Sequence, residues 1–526
     1  MLARLTYGLL TVLIAATMLL GQFVTPLSAR GAAPPELAGV NREVQTRMDA
    51  SRVPGLAMAI VQSDQIIHAQ GSGKANDGGQ FVTPQTPFVL GSTSKSFTAL
   101  AIMQLVEAGK LDLDTAVRRY LPAFRLDGSA ADAITVRHLL NQTSGIPASA
   151  GGEAYRSTRD VTEPQALQAL SNVKLTHAPG TAFEYANPNY VLLGFIIEAV
   201  SGQSYGDYLQ QHVFVPLEMQ HSYTALDQAK LDGLAQGHRY WFGVPVSSDS
   251  RDLTTLVPAG YIISSAEDLS HYLMIFLNGG SYHGRVLLSP AGIAELLHPV
   301  ASATLGPWAD GAKSSYAMGW FVGGPWGNDP IIFHPGEPPN YTSMLVLAPD
   351  HGWGMVMLMN AGSQLPLPGA DGALNRIPSE VASLMLGRQP TAGMSLERFY
   401  VIFDLLVLAV IAVQIWSVVR LLRHRLRLEP QLQSVSRPLR LMSVTVPLIW
   451  EVGLGALLLA TPELLKIGWR AAWLWMPDLS LVLLVVGTLS LMTGAVRLSR
   501  LTQVILADRS RLPGVTASKR AASPTG

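Results

Sequence analysis

Residues 91–97 read Gly91-Ser92-Thr93-Ser94-Lys95-Ser96-Phe97. They begin a stretch with helical spacing that extends to residue 107. Gly109, two residues later, is predicted to end the helix. Residues three apart on a helix share a face, so the amine of Lys95 can approach the hydroxyl of Ser92. A neighbouring base or cation lowers the cost of deprotonating a serine, and a helix N-terminus adds positive partial charge. This pair is therefore a candidate nucleophile and its activating group.

The spacing alone is a weak signal, because a second Ser-x-x-Lys occurs at residues 171–174. An N-cap serine followed by a solvated lysine explains most such pairs. Two further triplets add weight. Tyr185-Ala186-Asn187 is the only Tyr-x-Asn in the chain, and His334-Pro335-Gly336 is the only His-x-Gly.

With these three triplets in this order, the chain resembles the serine β-lactamase and penicillin-binding protein superfamily, in particular its class C β-lactamase, DD-peptidase and esterase branch. That branch carries Ser-x-x-Lys on a helix, Tyr-x-Asn on a loop of the helical domain and Lys-Thr-Gly or His-x-Gly on an edge strand. Further segments that resemble sequences of this family lie at residues 109–114, 137–140, 143–147, 258–260 and 264–269. The resemblance covers about residues 40–388. It implies an α/β, β-lactamase-like fold, with a mixed antiparallel sheet flanked by helices and a helical subdomain.

The resemblance also implies roles for the first two motifs. Ser92 would attack a carbonyl to form an acyl-enzyme, and Lys95 would hold the proton network and favour a tyrosinate at Tyr185. Tyr185 would act first as general base and then as acid to the leaving group. Asn187 would bridge Lys95 and the substrate.

The third motif bears on the substrate. His334 stands where class C β-lactamases carry a lysine, and the sequence has no Lys-Ser/Thr-Gly triplet. Gly336 precedes Glu337, whose backbone N–H would complete an oxyanion hole with that of Ser92, each donor being worth about 3–4 kcal/mol. Pro335 offers neither a hydroxyl nor an N–H to a substrate carboxylate, and the Glu337 side chain would repel one. Uncharged esters or amides are therefore favoured over penicillins and acyl-D-Ala-D-Ala.

Both ends of the chain point to a membrane. An export signal is predicted over residues 1–30, either cleaved or retained as an anchor. Near the other end, residues 399–419, 441–461 and 479–496 are each long enough to cross about 30 Å of hydrocarbon as a helix. The predicted domains are 36–388 for the β-lactamase-like part, 389–397 for a linker, 398–497 for three transmembrane helices and 498–526 for a cytoplasmic tail.

Charge sets the predicted topology. The segment between the first two spans is rich in arginine, which favours the cytoplasmic side, so residues 31–397 are expected outside the cytoplasm. Trp469, Trp473 and Trp475 then fall in an outer loop, as in an interfacial aromatic belt. Asp404 and Glu451 lie inside predicted spans, where they are either functional groups or packing contacts between helices.

Several other chemistries have no support. The chain has no cysteine, which excludes disulfides, thiolate metal sites and a cysteine nucleophile. It has no His-Glu-x-x-His motif or dense acidic and histidine cluster, so neither metal nor cofactor is expected. Its basic residues flank membrane spans, so nucleic acid is not an expected partner. Residues 202–206 fit Gly-x-Ser-x-Gly, but a helix-length run precedes them, which favours Gly202 as a C-cap and Ser204 as an N-cap.

The sequence thus predicts a multi-pass cell-membrane protein with an extracytoplasmic serine hydrolase domain and, besides the lipid bilayer, a small ester, amide or peptide substrate as its partner. Two alternatives remain: a cell-wall D-Ala-D-Ala carboxypeptidase or β-lactamase, and a sensor or scaffold that is acylated without turnover and signals through its membrane helices. The oligomeric state is left open.

Overall fold

The structure, a computed structural model, describes residues 37–128, 132–150, 160–305, 309, 311–365, 372–389, 395–423 and 436–510. The predicted signal segment, residues 390–394 of the predicted linker and the predicted tail beyond residue 510 lie outside these ranges. The chain divides into two compact units. The larger unit runs to Phe403 and resumes over Lys466–Asp478, and the smaller unit comprises residues 404–465 and those from 479 onward.

The strands of the larger unit are β1 (Gly55–Gln62), β2 (Gln65–Gly73), β3 (Phe88–Val89), β4 (Gly237–Trp241), β5 (Val244–Ser248), β6 (Ile263–Ser264), β7 (Ser281–Tyr282), β8 (Arg285–Val286), β9 (Ala301–Thr304), β10 (Lys313–Tyr316), β11 (Phe321–Gly323), β12 (Ile332–Gly336), β13 (Thr342–Ala348), β14 (Trp353–Met359) and β15 (Ala361–Gly362). Eight of them form an antiparallel sheet in the order β2-β1-β14-β13-β12-β11-β10-β9. Strands from both ends of the unit thus meet in one sheet.

The helices are α1 (Leu37–Ser51), α2 (Ser94–Glu107), α3 (Val117–Tyr120), α4 (Val136–Leu140), α5 (Glu163–Leu170), α6 (Asn187–Ser201), α7 (Tyr205–Leu209), α8 (Leu226–Leu231), α9 (Val257–Gly260), α10 (Ala266–Leu277), α11 (Pro290–Leu296), α12 (Arg376–Met385), α13 (Leu396–Arg423), α14 (Arg437–Leu464), α15 (Trp469–Trp475) and α16 (Pro477–Ser510). Short 3₁₀ turns cover Gly91–Thr93, Thr254–Leu256, Pro349–His351 and Ala373–Asn375.

The core of the larger unit lies at the contact between the sheet and the helices. Every residue of β13 and β14 is buried, because both faces of the central strands are covered, and α10 packs against β1 and β14. Helix α2 is apolar nearly all round and packs against α6 and α9, which is typical of a buried helix. The predicted β-lactamase-like α/β fold, with a helical subdomain beside an antiparallel sheet, is confirmed.

The smaller unit holds long apolar helices. Three candidate membrane spans cover Leu396–Arg423, Leu441–Leu464 and Pro477–Thr502, and they contain the three predicted spans. Helix α16 continues to Ser510, so residues 498–510 of the predicted tail are helical.

Polar contacts join these helices within the smaller unit. Gln414 Nε2 donates to Ser490 Oγ at 3.1 Å, and Arg497 lies 3.8 Å from a Glu451 carboxylate oxygen. An ideal Cβ on Gly455 would lie 2.8 Å from the carbonyl oxygen of Gly487, so two helices approach closely at small residues. Glu451 therefore makes a contact between helices, as expected for the packing role that is one of its two predicted interpretations.

Candidate active site

Ser92 lies in the 3₁₀ turn Gly91–Thr93, immediately before α2 begins at Ser94. The sequence placed it on the helix itself; the turn forms instead because Gly91 adopts a left-handed φ of 60°. The turn is fastened to the sheet through Leu90, whose carbonyl accepts hydrogen bonds from Thr93 Oγ1 at 2.9 Å and from Ser343 Oγ. Ser92 remains partly exposed, so its hydroxyl is accessible at the start of the helix.

Lys95 is fully buried and reaches three acceptors. Its Nζ lies 3.0 Å from Ser92 Oγ, 2.9 Å from Asn187 Oδ1 and 2.6 Å from the carbonyl oxygen of Ala259. Burial lowers the pKa of the Lys95 amine well below its ordinary value. Lys95 Nζ donates to Asn187 Oδ1 and to the Ala259 carbonyl and contacts Ser92 Oγ, and its lowered pKa favours the neutral form, which can accept a proton. The geometry therefore suits removal of the Ser92 proton by Lys95.

The loop before α6 carries Tyr185 and Asn187, and Gln142 holds that loop in place. The Gln142 side-chain oxygen accepts from the backbone N–H of Ala186 at 3.0 Å and from Asn189 Nδ2 at 2.6 Å. Ser144 Oγ donates to the Asn189 side-chain oxygen at 2.7 Å. The family-like residues 143–147 and Asn189 therefore support the second motif from a distance in sequence.

The Tyr185 ring lies beside Lys95, with the ring centroid 4.8 Å from Nζ, and it stacks on Phe321 at 6.4 Å. Burial, and next the proximity of Tyr316, raise the pKa of Tyr185 well above its ordinary value, while a hydrogen bond with Ser92 acts in the opposite direction. Burial thus disfavours the charged forms of both Lys95 and Tyr185, whereas the resemblance implies a tyrosinate at Tyr185.

The third motif sits on β12, which lies between β13 and β11 and is not an edge strand as predicted. However, the pairing with β11 covers only Ile332 and Phe333, so the sheet is locally open alongside His334–Gly336. The short β11 explains how an interior strand presents its motif as an edge strand would.

His334 is 1% exposed and lies inside the protein. Its Nδ1 is 2.7 Å from the carbonyl oxygen of Pro335, and its Nε2 is 3.4 Å from the hydroxyl of Tyr316. Burial, followed by the proximity of Lys95, lowers the pKa of His334 to about 3. The imidazole is therefore neutral at pH 7, donating from Nδ1 and accepting at Nε2.

Two glycines let β12 approach the turn Gly91–Thr93 closely. An ideal Cβ on Gly336 would lie 1.9 Å from the carbonyl oxygen of Leu90, and one on Gly91 would lie 2.8 Å from the backbone nitrogen of Glu337. The N–H of Glu337 therefore borders the turn that holds Ser92, where the oxyanion hole is predicted. The Glu337 carboxylate accepts a hydrogen bond from buried Asn375, a partner that sequence reasoning missed.

The family model described as Beta-lactamase matches residues 40–376. The chain belongs to the Beta-lactamase family. Within the wider superfamily of serine β-lactamases and penicillin-binding proteins, it is similar to "Protein flp" of Staphylococcus aureus strain MW2, with 30% identity over 323 residues, 61% of this chain and 62% of that protein. The chain thus spans about 62% of the length of this curated relative.

Two other relatives cover more of their own length. "Penicillin-binding protein 4" of Amycolatopsis lactamdurans is 31% identical over 328 residues, 60% of this chain and 84% of that protein. The octameric penicillin-binding protein homologue from Pyrococcus abyssi superposes with a TM-score of 0.57 at 27% identity, covering 69% of this chain and 80% of that one.

Apart from the family motifs, the other serine patterns have structural roles. Gly202 is a left-handed C-cap of α6, and Ser204 is the N-cap of α7, with Oγ accepting from the Asp207 N–H at 3.1 Å, as predicted. Lys174 of the second Ser-x-x-Lys is 83% exposed and lies 3.6 Å from Asp127. Over the described ranges, histidines and acidic residues form no group of three or more that could hold a metal.

Sequence reasoning also missed Tyr190 and Tyr316. Both are fully buried at the site, Tyr316 beside His334 and Tyr190 with its ring centroid 5.7 Å from Lys95 Nζ. The only sequence signal for Tyr190 is its position, one helical turn after the Tyr-x-Asn triplet. Nothing in the sequence around Tyr316 links it to the site.

Proposed function

We propose that this protein is a membrane-anchored, extracytoplasmic serine hydrolase that cleaves uncharged esters or small amides and peptides through an acyl-enzyme on Ser92. The observation that carries the proposal is the 3.0 Å approach of Lys95 Nζ to Ser92 Oγ, with Asn187 and Ala259 accepting from the same amine. The three candidate spans and the arginine-rich segment between the first two support the anchorage and the orientation.

Acylation begins when Lys95 takes the Ser92 proton as Oγ attacks the substrate carbonyl. The negative charge on the carbonyl oxygen is stabilised by the N–H groups of Ser92 and Glu337. As the tetrahedral intermediate collapses, Tyr185, a phenol of raised pKa, donates its proton to the leaving group and is reprotonated from Lys95. Water then attacks the ester carbonyl and loses a proton to Lys95. Collapse of this second tetrahedral intermediate breaks the bond to Ser92 Oγ, which takes the proton from Lys95, and the acid product is released.

The preference for uncharged substrates rests on the third motif. The imidazole of His334 is neutral and buried, so it supplies no cation to a substrate carboxylate. Pro335 has no donor to replace it. The Glu337 carboxylate accepts from Asn375 and is close enough to Tyr185 to help raise its pKa, so it adds negative charge to the site.

A second candidate is a penicillin-binding D-Ala-D-Ala carboxypeptidase. The similarity to "Penicillin-binding protein 4" over 84% of its length favours it. This function requires a cationic contact to the substrate carboxylate from outside the three motifs. The β-lactamase and acylation-sensor alternatives share the Ser92 ester and differ in how fast it hydrolyses.

Labelling the purified chain separates these candidates. A fluorophosphonate and a fluorescent penicillin are reacted in parallel, and the modified serine is mapped by mass spectrometry. Fluorophosphonate label on Ser92 with ester turnover supports the hydrolase, whereas penicillin label on Ser92 that hydrolyses within minutes favours the β-lactamase. Stable penicillin label together with peptide turnover favours the carboxypeptidase, and stable label without turnover favours the sensor. Ser92→Ala must abolish all labelling, and Ser204→Ala must not. Label elsewhere would contradict the mechanism.

A further inference from the structure

Strands β4 and β5 form a hairpin in the larger unit whose tip has an unusual conformation. Its two-residue turn is Phe242-Gly243, and both residues have left-handed backbone, with φ of 49° and 73°. Such type I′ turns favour asparagine or glycine, and a bulky residue at positive φ is uncommon. Phe242 must therefore be held by contacts outside the turn.

Those contacts are aromatic and come from two segments next to the candidate spans. Three consecutive hairpin residues each pack on a ring: Tyr240 on Tyr400 at 6.0 Å, Trp241 on Trp473 at 6.1 Å, and Phe242 on Phe403 at 6.3 Å. All six residues belong to the larger unit, which includes the start of α13 and the loop 466–478. The hairpin thus lies between the two segments that connect this unit to membrane helices.

Hydrogen bonds fasten the same contact. Arg239 Nη1 donates to the carbonyl oxygens of Trp473 at 3.2 Å and Leu474 at 3.0 Å, the last carbonyls of the short helix α15. The backbone N–H of Phe242 donates to Asp478 Oδ2 at 3.3 Å. Each bond ties the hairpin to the loop that follows the second span.

The length of α13 indicates how deep the hairpin tip lies relative to the bilayer. The predicted span 399–419 of α13 rises about 30 Å, the thickness of the hydrocarbon core. Phe403 is the fifth residue of that span, about 6 Å along the helix axis from its start, so it stands near the edge of the core, and Phe242 stacks on it. Asp478, the hairpin's hydrogen-bond partner, directly precedes the last stretch of the smaller unit.

The hairpin also exposes apolar side chains at this level. Val244 is 51% and Val246 is 42% exposed. They pair across the hairpin with Trp241 and Arg239, so all four share the face on which the tryptophan-bearing loop packs. Apolar residues beside interfacial tryptophans are typical of surfaces that enter the headgroup region.

We propose that the tip of this hairpin, residues 241–246, is a further membrane-contacting element that inserts Val244 and Val246 into the interfacial layer of the bilayer. This inference rests on the proposed membrane anchorage. The hairpin would thereby hold the hydrolase unit against the lipid surface independently of its covalent connection to the spans.

The absence of cysteine allows a clean test in the full chain. Single cysteines at Val244→Cys, Val286→Cys and Leu408→Cys carry a bimane fluorophore, and each protein is reconstituted into phosphatidylcholine vesicles with or without acyl-chain bromine near the headgroup. Val286 on β8 is the matched control, being a hairpin valine that is 69% exposed. Leu408, 62% exposed in α13, reports the anchorage.

We expect bromine to reduce fluorescence by about half at V244C and L408C and to leave V286C nearly unchanged. Quenching of L408C alone, or equal quenching of V244C and V286C, would overturn the hairpin inference and leave the anchorage intact. No quenching at any position would overturn the anchorage and the hairpin inference together. Bimane spectra of V244C in detergent, compared with those of V286C, check that the labelled hairpin is folded.

Discussion

Replacing Lys95 by methionine tests the mechanism most directly. Methionine keeps an unbranched chain in a fully buried position and removes the amine that contacts Ser92, Asn187 and Ala259. Loss of a general base costs about 10²–10⁴ in rate, so we expect kcat/KM to fall about 10³-fold, equivalent to about 4 kcal/mol of barrier. In the variant, Asn187 and the Ala259 carbonyl lose their hydrogen-bond donor, which costs about 1–3 kcal/mol of stability for each acceptor. This cost is offset in part because the variant no longer buries an amine.

The assay is steady-state hydrolysis of a short-chain nitrophenyl ester by the full chain in detergent, with thermal unfolding measured alongside. Lys174→Met is the matched control, since Lys174 is the 83% exposed lysine of the second Ser-x-x-Lys, and its activity should stay at the wild-type level. In the wild type, activity should rise with pH as Lys95 loses its proton. That rise should lie well below pH 10.5, because burial lowers the pKa of Lys95.

The reasoning is refuted if folded K95M keeps more than about a tenth of wild-type kcat/KM, given the magnitude of base catalysis. An acid limb close to pH 10.5 would refute the lowered pKa of Lys95 separately.

Three further changes have defined outcomes. Tyr185→Phe should slow hydrolysis of an alkyl ester about 100-fold and that of a nitrophenyl ester far less, because only the alkoxide leaving group needs a proton to leave. Equal rate losses for the two esters, measured in parallel, would contradict the role of Tyr185 as general acid. Gly336→Ala places a Cβ 1.9 Å from the Leu90 carbonyl oxygen, so it should destabilise the protein by about 1–3 kcal/mol in thermal unfolding and reduce fluorophosphonate labelling of Ser92. Unchanged labelling would argue against the close contact between β12 and the turn that holds Ser92. Burial raises the pKa of Glu380, beside Arg47, to about 7, so its contribution to stability is lost as pH rises from about 4.5 through 7. Glu380→Gln should therefore stabilise the fold at pH 8 by on the order of 2 kcal/mol and flatten this pH dependence, and an equal melting shift at pH 4 would contradict the assignment.

Much of the fold follows from local patterns. Residues 56–61, 344–348 and 354–359 lie inside β1, β13 and β14, because each is a short apolar run that both faces of a sheet can bury. The predicted stop at Gly109 follows a helix that ends at Glu107, since a glycine tolerates the left-handed φ of 67° found there. These signals act over a few residues and need no tertiary partner.

The site was less predictable where its properties depend on distant chain segments. Gln142 supports the Tyr-x-Asn loop from 44 residues away, and Tyr316 meets His334 across 18 residues. A glutamine and a tyrosine at those positions carry no motif of their own. The edge-strand prediction for His334 failed because strand order depends on which distant strands pair, while the short pairing of β11 leaves the motif locally open.

The sequence by itself determined the Ser92–Lys95 spacing, the order of the three motifs and the three apolar spans, because each depends on the type and spacing of nearby residues. The pKa shifts of Lys95, Tyr185 and His334 depend on the tertiary structure, since desolvation depends on every segment that closes around a group. The same is true of the β4–β5 hairpin, whose aromatic tip acquires its ring contacts only when residues far apart in the chain pack together.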